Sequence, residues 1–117
     1  MLSLTGKRVY LACGKTDMRK NINGLAAVVE CSFKLDPFGD TVFVFCNRNR
    51  DRLKILEWDG DGFWLHFKRL EKGRFRWPAE GSEATMTLTQ EELEVLIKGA
   101  KVELKIRRNE VAERRMF

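Results

Sequence analysis

With 117 residues, of which 44% are hydrophobic and 33% are charged, the chain is long enough for one hydrophobic core and too short for two. Its two prolines and its apolar content exclude a disordered chain, and no apolar run reaches the length of a membrane span. The net charge is +5, most of it in residues 47–77, and a local basic excess is expected of a protein with a polyanionic partner.

The first third of the chain has the pattern of a strand followed by a helix. Residues 8–13 (RVYLAC) are a β-prone run, and Thr16 or Asp17 is suited to cap a helix that starts at Met18. Apolar residues then recur every three or four positions, as on one face of an amphipathic helix: Met18, Ile22, Leu25, Ala26, Val29 and Phe33. The proline and glycine of residues 35–40 (LDPFGD) end this helix.

The middle of the chain is typical of an antiparallel meander. Four runs rich in β-branched and aromatic residues follow one another: 41–46, 52–58, 63–70 and 74–77. Between them, residues 59–62 (DGDG) are a strong hairpin signal, and residues 47–51 and 71–73 suit loops of five and three residues.

These loop lengths predict the register of the strands and therefore the two faces of the sheet. The expected opposite pairs are Trp58 with Phe63, Leu56 with Leu65, and Phe67 with Trp77. These residues share a face with Val42, Val44 and Phe75, and the other face carries Phe43, Phe45, Leu53, Ile55, Trp64 and His66. Both faces are apolar at their centres, so the first helix cannot be the only cover.

A second helix is predicted over residues 88–99 (LTQEELEVLIKG). Thr89 is followed three residues later by Glu92, the pattern of a capping box, and Gly99 ends the segment. This helix is the candidate cover for the second face of the sheet.

Apolar and charged residues alternate at the start of the last part of the chain, and no such alternation continues after residue 107. Residues 101–107 (KVELKIR) favour a strand, although an extension of the second helix also fits them. Residues 108–117 are expected to be a flexible tail. The sequence thus predicts one α+β domain over residues 1–107, with a mostly antiparallel sheet made of the meander and the N-terminal strand.

The cysteines do not predict a disulfide or a metal site. Cys13, Cys31 and Cys46 are odd in number and form no Cys-x-x-Cys pair, and the chain has one histidine. Each lies in an apolar run, which predicts a small buried side chain in a reducing compartment. Residues 1–12 lack the pattern of a secretory signal, so we expect a cytoplasmic protein. We also expect no cofactor.

One short pattern is similar to a phosphate-binding loop. Residues 14–16 (GKT) follow a strand and precede a helix, but Val9 stands where such a loop needs its first glycine. A helix N-terminus there could bind a phosphate, with Lys15, Arg19 and Lys20 adding charge. A plain strand-to-helix turn is the simpler interpretation.

A second pattern has the residue types of a metal-dependent phosphoryl-transfer site. Asp59 and Asp61, with Glu57 nearby, could bind metal ions, but a hairpin tip requires the same residues. His66 has no serine or cysteine partner that the sequence can place beside it. We therefore predict no catalytic residue and no metal site.

The basic residues of the sheet are the remaining candidate site. Arg48, Arg50 and Arg52 gather at one hairpin end, and Arg69 is expected opposite Arg52. Since like charges opposite each other destabilise a sheet, their accumulation suggests a bound anion. The candidate DNA contacts are Arg19, Lys20, Arg48, Arg50, Arg52, Lys54, Trp64, His66, Lys68, Arg69, Arg74 and Arg76.

These side chains suit nucleic-acid binding in two ways, although a structural role without any ligand also explains them. Arginine binds phosphate with two parallel hydrogen bonds, and Trp64 or His66 could stack on a base. Alternatively, long basic side chains at a sheet edge keep their charge in water and block aggregation.

Four long stretches of the sequence resemble a known family: residues 10–25 (YLACGKTDMRKNINGL), 35–45 (LDPFGDTVFVF), 49–78 (NRDRLKILEWDGDGFWLHFKRLEKGRFRWP) and 88–99. They resemble the TnpB-type accessory proteins of the sixty-six family of bacterial insertion sequences, which are distinct from the RNA-guided nuclease of that name. The resemblance implies a protein encoded beside a transposase, with no catalytic residues to carry over. The short motifs that recur in this family correspond to Thr16 to Lys20, Arg52 to Lys54 and Lys68 to Glu71.

The sequence therefore favours a non-catalytic accessory protein of transposition. It would contact DNA phosphates, or the transposase complex, through the basic end of its sheet. The alternative is a protein–protein adaptor of the transposase that never contacts DNA and docks through an aromatic sheet face. A small nuclease would need converging carboxylates with a metal ion. A homo-oligomer is compatible with each of these functions.

Overall fold

A computed structural model describes residues 6–99, which form a five-stranded mixed sheet with one helix on each face. The strands are β1 (Arg8–Ala12), β2 (Thr41–Cys46), β3 (Arg52–Trp58), β4 (Phe63–Arg69) and β5 (Thr85–Leu88). The helices are α1 (Ile22–Ala27), which continues as a π-helical turn over Val28–Ser32, and α2 (Gln90–Ile97). The predicted α+β class and both helices are confirmed.

The sheet has the order β4-β3-β2-β1-β5. β1 and β2 are parallel, and the other three neighbouring pairs are antiparallel. A parallel pair needs a crossover connection, which here contains α1. β5 was not predicted, because its four residues TMTL are short and half polar.

Helix α1 starts later than predicted. Its N-cap is Asn21, and the predicted caps Thr16 and Asp17 lie outside the helix. The Asp17 carboxylate instead accepts the backbone N–H of Arg19 at 2.9 Å. The carbonyl of Met18, which a helix starting there would use for its own ladder, accepts a hydrogen bond from Lys54.

The register of the central hairpins confirms one prediction and corrects another. The predicted pairs Trp58–Phe63 and Leu56–Leu65 are present. Residues 47–51 connect β2 to β3 as predicted, but the register is shifted by one residue, so that Cys46 lies opposite Leu53 and Asn47 N–H donates to Arg52 O at 3.0 Å. The faces of β2 are therefore the reverse of the prediction: Phe43 and Phe45 lie with Leu56, and Val42 and Val44 lie with Ile55.

Each face of the sheet has its own core. The α1 face buries Ala12, Leu25, Val29, Phe43, Phe45 and Leu56. The α2 face buries Val9, Leu11, Val42, Val44, Cys46, Leu53, Ile55, Phe75, Trp77, Leu93 and Leu96. The expectation that the second helix covers the second face is confirmed.

Residues 74–77 are not the fourth strand of the meander, and that prediction was wrong. Phe67 does not pair with Trp77. Phe75 N–H donates to Arg50 O at 2.7 Å, and the Trp77 indole donates to Ala12 O at 2.8 Å. The segment therefore leaves the sheet edge and packs its aromatic rings beneath the α2 face.

The capping box of α2 is confirmed in both directions. Thr89 Oγ1 accepts the Glu92 N–H at 3.0 Å, and Glu92 Oε1 accepts the Thr89 N–H at 2.8 Å. Gly99 follows the helix with φ +64°, and a Cβ at this position would lie 2.8 Å from Leu70 Cδ1. Glycine is thus required there for both conformation and space.

The cysteines differ from one another. Cys46 is buried, and burial raises the pKa of its thiol to about 12. Cys31 is exposed, so the prediction that every cysteine is buried was wrong for this residue. It lies in the π-helical turn after α1 and points away from the sheet, a direction that an apolar run of sequence does not reveal.

Other predictions fall outside the described residues. They concern residues 101–107, residues 108–117 and the domain boundary at residue 107. Within residues 6–99, no helix has both the length and the apolar character needed to cross a membrane.

Replacing Phe75 by alanine should lower the free energy of unfolding by about 3–5 kcal/mol, because the ring is buried in the core of the α2 face. Denaturant unfolding followed by circular dichroism measures the loss. The control is Phe38→Ala, whose ring is half exposed and contacts Trp58 and Phe63, so we expect about 0.5–1.5 kcal/mol. Equal losses would contradict the covering role of residues 74–77.

Candidate nucleic-acid interface

Five arginines surround the end of the sheet where β2 ends, β3 begins and β4 ends. We call this group the basic end: Arg48, Arg50, Arg52, Arg69 and Arg74. Two backbone hydrogen bonds hold it together, from Leu70 N–H to Asp51 O and from Phe75 N–H to Arg50 O. Four of the arginines are exposed and Arg52 is half-buried.

Arg52 and Arg69 are directly opposite each other in β3 and β4, as predicted. Two carboxylates partly balance them: Asp51 lies 3.9 Å from Arg52, and Glu71 lies 3.0 Å from Arg69. The hydrogen bond from Asn47 lowers the pKa of Asp51, and the charges of Arg52 and Arg74 lower it further. Asp51 is therefore ionised, and with Glu71 it balances only part of the charge of the five guanidinium groups.

Arg50 adopts a left-handed backbone conformation, with φ +63°. An L-residue loses about 1–2 kcal/mol in this region, which glycine or asparagine occupies more readily. Lys34 has the same conformation, with φ +59°, but it follows the π-helical turn away from the basic end. The Arg50 side chain therefore lies at the tip of the β2–β3 loop, although the backbone conformation of this residue is energetically unfavourable.

The opposite end of the sheet has acidic character. It includes the β3–β4 hairpin tip and the residues that precede β2, with the exposed aspartates Asp36, Asp40, Asp59 and Asp61. Strands β2, β3 and β4 therefore have arginines around one end and aspartates around the other, and an anionic polymer is attracted to the arginines.

A groove of about 620 Å³ lies on the α1 face beside the basic end. We call it the Phe67 groove, and its lining is Asp17, Met18, Arg19, Asn21, Arg52, Lys54, Leu65 and Phe67. Phe67 is 54% exposed. Arg19 is held by Asp17, with Nη2 at 2.8 Å and Nε at 3.0 Å from the carboxylate oxygens. This pairing lowers the pKa of Asp17.

Lys54 holds the segment before α1. Its buried ammonium donates to Met18 O and Lys20 O at 2.9 Å and to Asn21 Oδ1 at 3.0 Å. These three bonds use all three of its hydrogens, so Lys54 positions the chain and has no hydrogen left to donate to a phosphate. The side chain of Lys20 is exposed.

Three of the predicted contacts lie on the other face of β4, away from the Phe67 groove. Trp64 stacks on His66 with ring centroids 6.1 Å apart, and its indole donates to Asp59. Lys68 Nζ donates to Ile97 O at 2.6 Å at the C-terminal end of α2. The exposed Arg76 lies on the segment that follows β4. The structure therefore divides the predicted set between two faces.

His66 belongs to a buried ionic network that the sequence did not reveal. Glu57 is 1% exposed and lies 2.8 Å from both Lys7 Nζ and His66 Nε2. Lys7 also donates to Trp58 O at 3.0 Å. No spacing signal links Lys7 to Glu57, because they are 50 positions apart. The described residues contain no group of carboxylates, histidines and cysteines that could bind a metal ion.

The remaining motifs have structural roles. Asp59 Oδ1 accepts the Gly62 N–H at 3.2 Å, as a hairpin tip requires, and the hydrogen bond from Trp64 lowers the pKa of Asp59. Gly14 N–H donates to Pro78 O at 3.0 Å, and Thr16 N–H donates to Cys46 O at 2.7 Å. Two of the amides that could face a phosphate after β1 therefore already have backbone partners.

The sequence of this chain matches a known protein family. The family model described as IS66 Orf2 like protein matches residues 7–107. The chain belongs to the IS66 Orf2-like family. The family identifies an accessory protein associated with an insertion sequence, as the sequence resemblance implied.

Two relatives come from Sinorhizobium fredii (strain NBRC 101917 / NGR234), and the names of both describe them as uncharacterized. The protein y4hO is 43% identical over 84 residues, covering 71% of this chain and 73% of the relative. The protein y4jC is 35% identical over 94 residues, covering 80% of each. No solved structure matches this IS66 Orf2-like chain significantly.

Replacing Lys54 by methionine should lower the free energy of unfolding by about 1–3 kcal/mol, because buried acceptors lose their donor. Lys20→Met removes an exposed ammonium from the same segment and should change it by less than about 0.5 kcal/mol. Denaturant unfolding measures both values. A Lys54→Met protein as stable as Lys20→Met would contradict the positioning role of Lys54.

Proposed function

We propose that this protein is a non-catalytic accessory protein of insertion-sequence transposition in the bacterial cytoplasm, and that it binds DNA phosphates through the basic end. The observation that carries the proposal is the convergence of five arginines at one end of the sheet, with Arg52 and Arg69 in direct opposition. Arginine is the side chain best suited to bidentate phosphate binding. The family supports the association with a mobile element.

Two further features support phosphate binding at this end. The acidic residues at the other end orient the protein on a polyanion. Arg50 keeps a guanidinium in a conformation that is unfavourable for its backbone, and such strain tends to occur at functional positions. Phosphate contacts position a protein without reading bases, so the proposal includes no sequence specificity.

A second candidate function is an adaptor of the transposase that does not contact DNA. The observation in its favour is the half-exposed Phe38, which packs edge-on against Trp58 at 5.1 Å, with Phe63 5.3 Å from its ring. This aromatic group lies at the acidic end of the sheet, so a protein partner there would leave the basic end accessible. The two functions are therefore separable by mutation.

Reversing two charges of the basic end should weaken DNA binding strongly. For Arg52→Glu with Arg69→Glu, we expect the slope of log K against log salt concentration to fall by about 2, because two phosphate contacts are lost. Fluorescence anisotropy of a labelled duplex over a salt series measures this slope. The control, Arg8→Glu with Lys34→Glu, makes the same change in net charge elsewhere and should keep the slope.

Two outcomes would count against the proposal. If the control pair weakened binding as much as the basic-end pair, the interaction would depend on net charge alone. If the unmodified protein bound no duplex at low salt, direct DNA contact would be wrong. Capture of the transposase from the same element would then test the adaptor function.

Arg50→Gly should separate stability from binding. The substitution relieves the left-handed backbone, so the free energy of unfolding should stay constant or rise by up to about 1 kcal/mol. DNA affinity should fall because one phosphate contact is lost. Lys34→Gly is the matched control, since it removes a positive charge from the same backbone conformation and should leave affinity unchanged. If Arg50→Gly and Lys34→Gly bound DNA with equal affinity, Arg50 would not be a phosphate contact.

A further inference from the structure

We propose that the Phe67 groove binds one unpaired nucleotide of single-stranded DNA, with the base stacked on Phe67 and the adjoining phosphate on Arg52. This inference rests on the proposed function and deepens it, because it adds a strand preference to the phosphate contacts. A base inside a duplex is already stacked on both sides, so only an unpaired base can use this ring.

Phe67 is exposed although it lies within β4. Its neighbours on the same face, Phe43, Phe45 and Leu56, are buried beneath α1, whereas 54% of Phe67 is exposed. A single exposed aromatic ring is ordinary on a protein surface. The charged groups around this ring make it a candidate for a nucleotide.

The ring is supported from the protein side. Lys54 Nζ lies 6.0 Å from the Phe67 ring centroid, and its hydrogen bonds to the segment before α1 keep it in place. Leu65 and Met18 also line the groove. A base entering from solvent would therefore meet an exposed aromatic ring flanked by two apolar side chains, a surface on which single-stranded nucleic acid stacks.

Arg52 is the cation best placed for the phosphate. Its ion pair with Asp51 is long at 3.9 Å, whereas Arg19 is held closely by Asp17. Arg69 stands opposite Arg52 and is two residues from Phe67 on the same face of β4. Two residues along a strand span about 7 Å, which is within the reach of one nucleotide.

The groove also offers volume and polar groups. About 620 Å³ falls in the range of pockets that hold small ligands of nucleotide size. The Asp17 carboxylate, ionised through its pairing with Arg19, can accept a hydrogen bond from an exocyclic amino group of a base.

The test compares Phe67→Ala with the unmodified protein on a labelled single-stranded oligonucleotide and on a duplex of the same length, by fluorescence anisotropy at fixed salt. Affinity for the single strand should fall about 5- to 100-fold, the range for loss of one base stack. Affinity for the duplex should stay within about twofold, because the basic end is intact. Phe67→Trp, which keeps a stacking surface, should retain single-strand binding.

The outcomes distinguish this inference from the function on which it rests. If Phe67→Ala bound both DNAs like the unmodified protein, the nucleotide site would be wrong and the phosphate interface would stand. Equal losses on both DNAs would also overturn the strand preference. If the unmodified protein bound neither DNA, the proposed function itself would fail. Trp64→Ala probes the other face of β4, and a selective loss of single-strand binding there would place the base on the wrong side for this proposal.

Discussion

The arrangement of both faces of the sheet depends on the side-chain amide of Asn47. Its Oδ1 accepts the N–H groups of Asp51 and Arg52, each at 3.0 Å, and its Nδ2 donates to the Asp51 carboxylate at 2.8 Å. These bonds close the connection between β2 and β3 in the register that places Cys46 opposite Leu53. Since side chains alternate along a strand, a slip of one residue would turn Phe43 and Phe45 away from α1.

The same register links the core to the candidate site. It places Lys54 on the α1 face, where its ammonium fixes the carbonyls before α1 and delays the start of that helix. The segment before α1 lines the groove in which Phe67 is exposed beside Arg52. The β2–β3 register and the hydrogen bonds of Lys54 thus contribute to the geometry of both the basic end and the Phe67 groove.

The sequence predicts the features that neighbouring residues determine. The hairpin at residues 59–62 and the capping box of α2 depend on contacts within a few positions, and both were predicted correctly. The predicted β2–β3 register was wrong, because the composition of residues 47–51 does not show which residue lies opposite Cys46, and a shift of one residue exchanges the two faces of a strand. Residues 74–77 have strand propensity, yet burial of Phe75 and Trp77 beneath the sheet overrides it. The partners of Lys54 are 33 to 36 positions away, so no local pattern reveals them.

We propose that DNA binds at the end of the sheet formed by the β2–β3 loop and the segment after β4. Amide chemical shifts, recorded while isotope-labelled protein is titrated with a short duplex, locate the contact directly. We expect the largest shift changes on residues 48–52 and 69–74, while the shifts of residues 36–40 and 59–62 at the acidic end stay unchanged. Changes centred on the acidic end, or no changes at low salt, would contradict it.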